Sequence, residues 1–342
     1  MRRLAISSLI AVLFLGGFLF VLGPARLGRQ LAGADLGVFA LGPVAVLAAL
    51  ACWGEASYRL FAGFDPGLSR RRALVAYGAG ALGKQVLPMG NAGGPAVMAY
   101  AFERETDLGY GRSLAVTVVA EFLSLVASLV LGLLGVAVLL SSSASVPELR
   151  WLGVGVVVVG AALAALSFVV WFRRRHVTLG LTGVARLLGP RVGRISPALG
   201  ERLRPERVDA SLRRYYETFD AVVRDRRAVL YAFALSQVGW VLFTLPLYTS
   251  ALALGVRVPI ALVLFLVPAT GLAAVVPLPG GLGGVEVALA GLLAVLAGFD
   301  LPTAGAVVIL FRLCSFWFFV LACGIAASMA AVNVGELRGE SV

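Results

Sequence analysis

An apolar region of this chain, 259–297, is interrupted at 277–286 by Pro-Leu-Pro-Gly-Gly-Leu-Gly-Gly-Val-Glu. Two prolines and four glycines stop a helix. In lipid such a stop frees backbone N–H and C=O groups that only protein or a polar cavity can satisfy. Few folds place a broken helix at membrane depth, and transporters that build a substrate site there are the best known of them. The surroundings make the lipid reading the right one. Residues are 60% hydrophobic and 14% charged, with mean hydropathy +0.95. Soluble domains carry about 25% charged residues.

Apolar stretches at 4–22, 36–61, 114–140, 151–172, 228–254 and 303–332 each have the length of a membrane span. The first follows Arg2 and Arg3 but is long for a signal peptide and is read as an uncleaved span. A second break lies at 87–95, Leu-Pro-Met-Gly-Asn-Ala-Gly-Gly-Pro, after a limb (73–87) of about 22 Å as a helix, against a hydrocarbon core of about 30 Å. The first broken region reads as a re-entrant hairpin rather than a full crossing, and each of the two is either re-entrant or a pair of tilted spans. The formal charge of +11 is concentrated in 173–227, which holds 14 Arg and 6 Asp/Glu. That is the pattern of a cytoplasmic loop, and it removes the nucleic-acid reading. With this segment and the basic 65–72 loop inside, both termini are cytoplasmic. The hairpin at 73–102 then enters from the cytoplasm and the one at 259–297 from outside. Within the basic segment, Val208, Leu212, Tyr215, Tyr216, Phe219, Val222 and Val223 recur at helical spacing. They mark either an interfacial helix on anionic headgroups or a charged linker helix.

An offset of 191 residues superimposes the two breaks: Leu87 and Pro88 on Leu278 and Pro279, Gly90 on Gly281, Gly93 on Gly284. It also superimposes Ser124 on Ser315 and Glu121 on Arg312, two intramembrane charges of opposite sign that are expected to pair. The expectation is an all-α polytopic membrane protein. It has about six full transmembrane helices and two broken hairpins arranged as an inverted repeat, in one transmembrane domain (1–342). The halves are 1–172 and 228–342, with the basic segment between them.

The second motif, Pro279-Gly-Gly-Leu-Gly-Gly-Val-Glu286 with Arg312 26 residues on, resembles the signature of the lysylphosphatidylglycerol synthase transmembrane domain family, also described as flippase-like. The first break, followed by Glu121, resembles that family's first-half motif, with Pro95 a departure from it. The resemblance covers essentially the whole chain. It implies a bundle that moves an anionic or aminoacylated phospholipid, or a polyprenyl-phosphate-linked glycolipid, between leaflets of the cell membrane. Some members of the family carry a fused transferase domain. This chain has no room for one, so the expectation is a protein without enzyme activity.

The site chemistry follows from the residues. A half-helix starting near Gly283 presents free N–H groups and a positive dipole end, so Gly280, Gly281, Gly283 and Gly284 form a candidate phosphate cradle. Glu286 either caps that half-helix or contacts substrate. A buried Arg312 needs a partner, which is Glu121, Glu286 or a lipid phosphate, and Arg312 and Glu121 either bind a headgroup or lock the two halves together. Lys84, with Gln85 and Asn91, either meets a phosphate or snorkels to an interface. One histidine, His176, and three scattered cysteines offer no metal site, and no cofactor is expected. The partners expected are membrane lipids with a phosphate-bearing headgroup. A second class of function stays open: a membrane subunit that recruits a separate lipid- or glycan-modifying transferase.

Overall fold

A computed structural model describes residues 24–87, 93–141, 173–195, 204–273 and 279–339, with Val154, Gly155, Val158, Ala162 and Glu201 besides. The expected spans at 4–22 and, apart from those isolated positions, 151–172 lie outside the described residues. So do Asn91 and the prolines of both breaks other than Pro95 and Pro279. Among the described residues every regular element is helical. These are α1 (Pro24–Ala32), α2 (Leu36–Phe61), α3 (Arg70–Val86), α4 (Gly94–Glu105), α5 (Tyr110–Ser141), α6 (Arg174–Ile195), α7 (Pro205–Arg224), α8 (Arg226–Ala253), α9 (Ile260–Ala273), α10 (Gly284–Ala297), α11 (Leu301–Arg312) and α12 (Phe319–Gly339). A π-helical segment, Leu313–Phe318, joins α11 to α12 as one long rod.

Among the described residues, four rods are long and apolar enough to cross a membrane: Leu36–Phe61, Tyr110–Ser141, Arg226–Ala253 and Leu301–Ala330. Their outward faces expose Leu36, Val44, Leu134, Leu230, Leu321 and Ile325, an arrangement that only lipid makes favourable. The protein is therefore an all-α, multi-pass membrane protein. The hairpin limbs are shorter. α3 and α4 have 17 and 12 residues, and α9 and α10 have 14 each, about 18–26 Å per limb.

The repeat is written into the element boundaries. Adding 191 to the starts of α2, α3, α4 and α5 reaches the starts of α8, α9, α10 and α11 to within one residue. Packing follows the same rule: α5 lies on α9 while α12 lies on α3. Contacts between the equivalent helices α2 and α8 give the sense of the symmetry. The Asp35 amide donates to the Ala253 carbonyl at 2.8 Å. Gly42 packs on Pro246 and Thr249. The Trp53 and Trp240 rings are 5.6 Å apart, and the Arg59 guanidinium stands 4.7 Å over Tyr231. As the number rises on α2 it falls on α8, so the pair is antiparallel. A two-fold axis crossing both helices relates the halves, which makes the repeat inverted.

Small residues allow these close crossings. A Cβ on Gly135 of α5 would lie 2.6 Å from the Ala261 carbonyl oxygen of α9, and one on Gly78 of α3 would lie 2.5 Å from Ala326 Cβ of α12. The equivalent helices α2 and α8 also share a start signal. The Asp35 carboxylate accepts from the Gly37 and Val38 amides, and that of Asp225 from the Ala228 amide. Replacing either aspartate by Ala should cost about 1 kcal/mol, read as a lowered melting temperature in detergent.

The amphipathic stretch at 208–223 forms α7, and part of its apolar stripe packs on protein, while Val223 is exposed. Val222 is buried, Phe219 packs in the same cluster, and Ser211 lies against Gly111 at the start of α5. Burial pushes the Tyr215 hydroxyl up to about 12. These contacts pack α7 against the start of α5. Glu55 and Arg59, four residues apart on α2, form an ion pair at 2.9 Å.

Candidate functional site

Each break is held by an ion pair, and the two pairs have opposite construction. At the second break Gly280, Gly281 and Gly283 take φ of 58°, 64° and 85°, a region that disfavours side chains. The turn delivers α10 with Glu286 in its first turn. One oxygen of that carboxylate accepts the Gly283 amide at 2.6 Å, and the other accepts Arg312 Nε at 2.7 Å. Arg312 Nη2 donates to the Gly280 carbonyl at 2.9 Å, and its guanidinium lies 4.7 Å over the Phe316 ring. Glu286 is 2% exposed and Arg312 9%. The half-helix end is thus filled from within. Glu286 makes the capping bond, takes the Gly283 amide from the expected phosphate cradle, and neutralises Arg312. Gly280 contributes its carbonyl, an acceptor, rather than a donor. Gly284 is the first residue of α10.

At the first break the cation comes from the limb and the carboxylate from the span. Lys84 Nζ donates to both oxygens of Glu121, at 2.7 and 2.8 Å. A Cβ on Gly94 would lie 3.0 Å from Lys84 Cε, so the missing side chain seats the lysine stem against the start of α4. The expected Glu121–Arg312 pair is not formed. A two-fold axis brings equivalent positions together only where it passes, between α2 and α8. The charges on α5 and α11 each find a partner in their own half instead.

The Lys84–Glu121 pair is about three-quarters buried, and the space around it is hollow. One cavity, about 170 Å³, runs between α2, α3, α4, α5 and α8. It is lined by Ser57, Phe61, Gln85, Thr117 and Ser236 as well as the pair. A second, about 220 Å³, lies between α5, α8 and α9, with Ser128, Gly132, Phe265 and Pro268 in its wall. Lys84, Glu121, Ser124 and Trp240 line both. Trp240 Nε1 donates to Ser124 Oγ at 3.1 Å, so the partition is one ion pair and one hydrogen bond. Arg312 lines neither cavity.

Of the residues singled out in sequence, the structure brings Lys84, Gln85 and Glu121 to one cavity, and Arg312, Glu286, Gly280 and Gly283 to a separate closed cluster. Ser124 and Trp240 were not singled out. The only signal for Ser124 was its match with Ser315 at the 191-residue offset, and Trp240 had none.

A family model described as the lysylphosphatidylglycerol synthase TM region matches residues 5–323, nearly the whole chain. The chain belongs to this family. No curated protein matches it. Membership of the lysylphosphatidylglycerol synthase TM-region family makes this a membrane protein related to lipid modification or lipid movement. In this member both of the cavities described lie at the Lys84–Glu121 pair.

Proposed function

We propose that this protein moves a lipid headgroup between leaflets through the two cavities that meet at Lys84 and Glu121, and that it does so as a transporter without enzyme activity. The observation that carries the reading is the shared partition. With the basic segment in the cytoplasm, the first cavity lies toward the inner ends of α2, α5 and α8. The second lies toward the outer half of α5 and the hairpin that enters from outside. A headgroup that opens the ion pair passes from one to the other while its acyl chains stay in lipid. Charged partners are replaced rather than lost, which lowers the cost of carrying a polar group through hydrocarbon.

The test is reconstitution with fluorescent phospholipids of several headgroup classes and a membrane-impermeant quencher. Lys84→Ala should slow the transbilayer rate by at least about tenfold, the effect of leaving one buried charge unpartnered. Absence of movement for every headgroup, or an unchanged rate in Lys84→Ala, removes the reading. A second reading, a membrane subunit that recruits a transferase, is favoured by the cytoplasmic face of α7, where Arg207 and Arg213 are mostly exposed. Copurification of a transferase that is lost when Arg207 and Arg213 are changed to Glu would support it.

A further inference from the structure

The charge balance of the cavity selects its cargo. We infer that the Lys84–Glu121 site takes a zwitterionic lipid headgroup, one phosphate together with one primary ammonium, in preference to an anionic one. This rests on the reading that the cavity receives a headgroup, and it names the class.

Exclusion narrows the choice. Lys84 and Glu121 satisfy each other at 2.7–2.8 Å and together carry no net charge. A headgroup bearing only a phosphate must take Lys84 away from Glu121, which leaves a carboxylate in a largely buried site with no countercharge. A purely cationic headgroup strands Lys84 in the same way. Removing one partner of a buried pair is far more costly than exchanging both. A headgroup with both charges exchanges both: phosphate to Lys84 Nζ, ammonium N–H to Glu121.

Among the residues lining the two cavities, no further cation is available to soften the choice. Arg312 is held by Glu286 and the Gly280 carbonyl, outside both cavities. The remaining polar groups at the partition are uncharged. Ser124 already accepts from Trp240, and Gln85 and Ser128 offer hydrogen bonds to either sign. Trp53, Tyr77, Trp240 and Phe243 add aromatic walls, whose faces favour an ammonium over a phosphate. The aromatic contribution and the carboxylate therefore act on the same end of the headgroup.

The experiment uses the full chain in detergent with short-chain phosphatidylethanolamine, phosphatidylcholine and phosphatidylglycerol as probes, read by thermal stabilisation against lipid concentration. Phosphatidylethanolamine is expected to bind at least about tenfold more tightly than phosphatidylglycerol. Phosphatidylcholine should fall between, since its quaternary ammonium has no N–H for Glu121. Glu121→Gln should abolish the preference and improve phosphatidylglycerol binding, because Lys84 is then free. The reversal Lys84→Glu with Glu121→Lys keeps a pair in place, guards against misfolding, and should retain the preference. Equal binding of all three lipids, tighter binding of phosphatidylglycerol, or a preference untouched by Glu121→Gln would overturn the inference. Selective binding without transbilayer movement would remove the transport reading but leave the headgroup class. Movement of phosphatidylglycerol alone would do the opposite.

Discussion

Arg312→Ala should destabilise the protein by about 3–5 kcal/mol, the cost of leaving a buried carboxylate without its cation. The expectation rests on the depth of the cluster. Glu286 is 2% exposed, and its other oxygen is already committed to the Gly283 amide. Losing the guanidinium also frees the Gly280 carbonyl. Thermal unfolding in detergent gives the measurement, and a double-mutant cycle gives the cause. Arg312→Met combined with Glu286→Leu removes both charges and should recover most of the loss, since a well-packed apolar pair often matches a buried ion pair. If the cluster is a fastener, the double variant keeps lipid movement while the single variant loses it through unfolding. A double variant that is stable yet inactive would place Arg312 in the transport path instead.

Gly280→Ala is the second large effect. At φ 58° an added Cβ costs about 1–2 kcal/mol through the left-handed backbone alone. That Cβ would also fall within the Phe316 ring. Phe316 cannot simply step aside, because the same ring supports the Arg312 guanidinium. Overpacking of this kind adds about 1–3 kcal/mol. Gly284 supplies the control. It is the first residue of α10, and a Cβ added there would meet nothing within 4 Å, so Gly284→Ala should be neutral or slightly stabilising in the same melt. Equal losses at both positions would mean that the whole glycine run, rather than its backbone turn, matters for stability.

Much of the architecture was legible because membrane folding writes it in plain terms. The four long rods appear as long, largely apolar stretches, and the two hairpins as paired Gly/Pro stops at a 191-residue spacing. The side-chain partners were legible only in part. Glu286 and Arg312 meet across a gap bridged by one helix and one turn, and the sequence named that pairing among three options. Lys84 and Glu121 were assigned separately. No local periodicity links a residue on a hairpin limb to one on the next span, and their meeting depends on where α4 leaves room at Gly94. The offset suggested Glu121 with Arg312, but equivalence under a two-fold axis is not proximity. Cavities leave no mark in sequence at all. Residues that line a void and residues that fill a core are the same Ser, Phe and Trp until the helices are in place. The inward packing of α7 was hidden for a related reason: an apolar stripe states that something covers it, not whether lipid or protein does so.

The π-helical stretch at 313–318 has no counterpart in α5, and this difference acts as a gear between the two ends of the last rod. Each residue of an α-helix turns the chain by about 100°. A π segment holds one residue more than the α turns it replaces, so it shifts the angular setting of everything beyond it. Upstream, that setting points Arg312 at Glu286. Downstream, it points Ala326 at the notch left by Gly78. Deleting a single residue from 313–318 would leave both ends helical and still turn one of them away from its seat. The rod's two engagements are thus synchronised by one surplus residue, and the phase between them is a property the first half of the repeat never had to set.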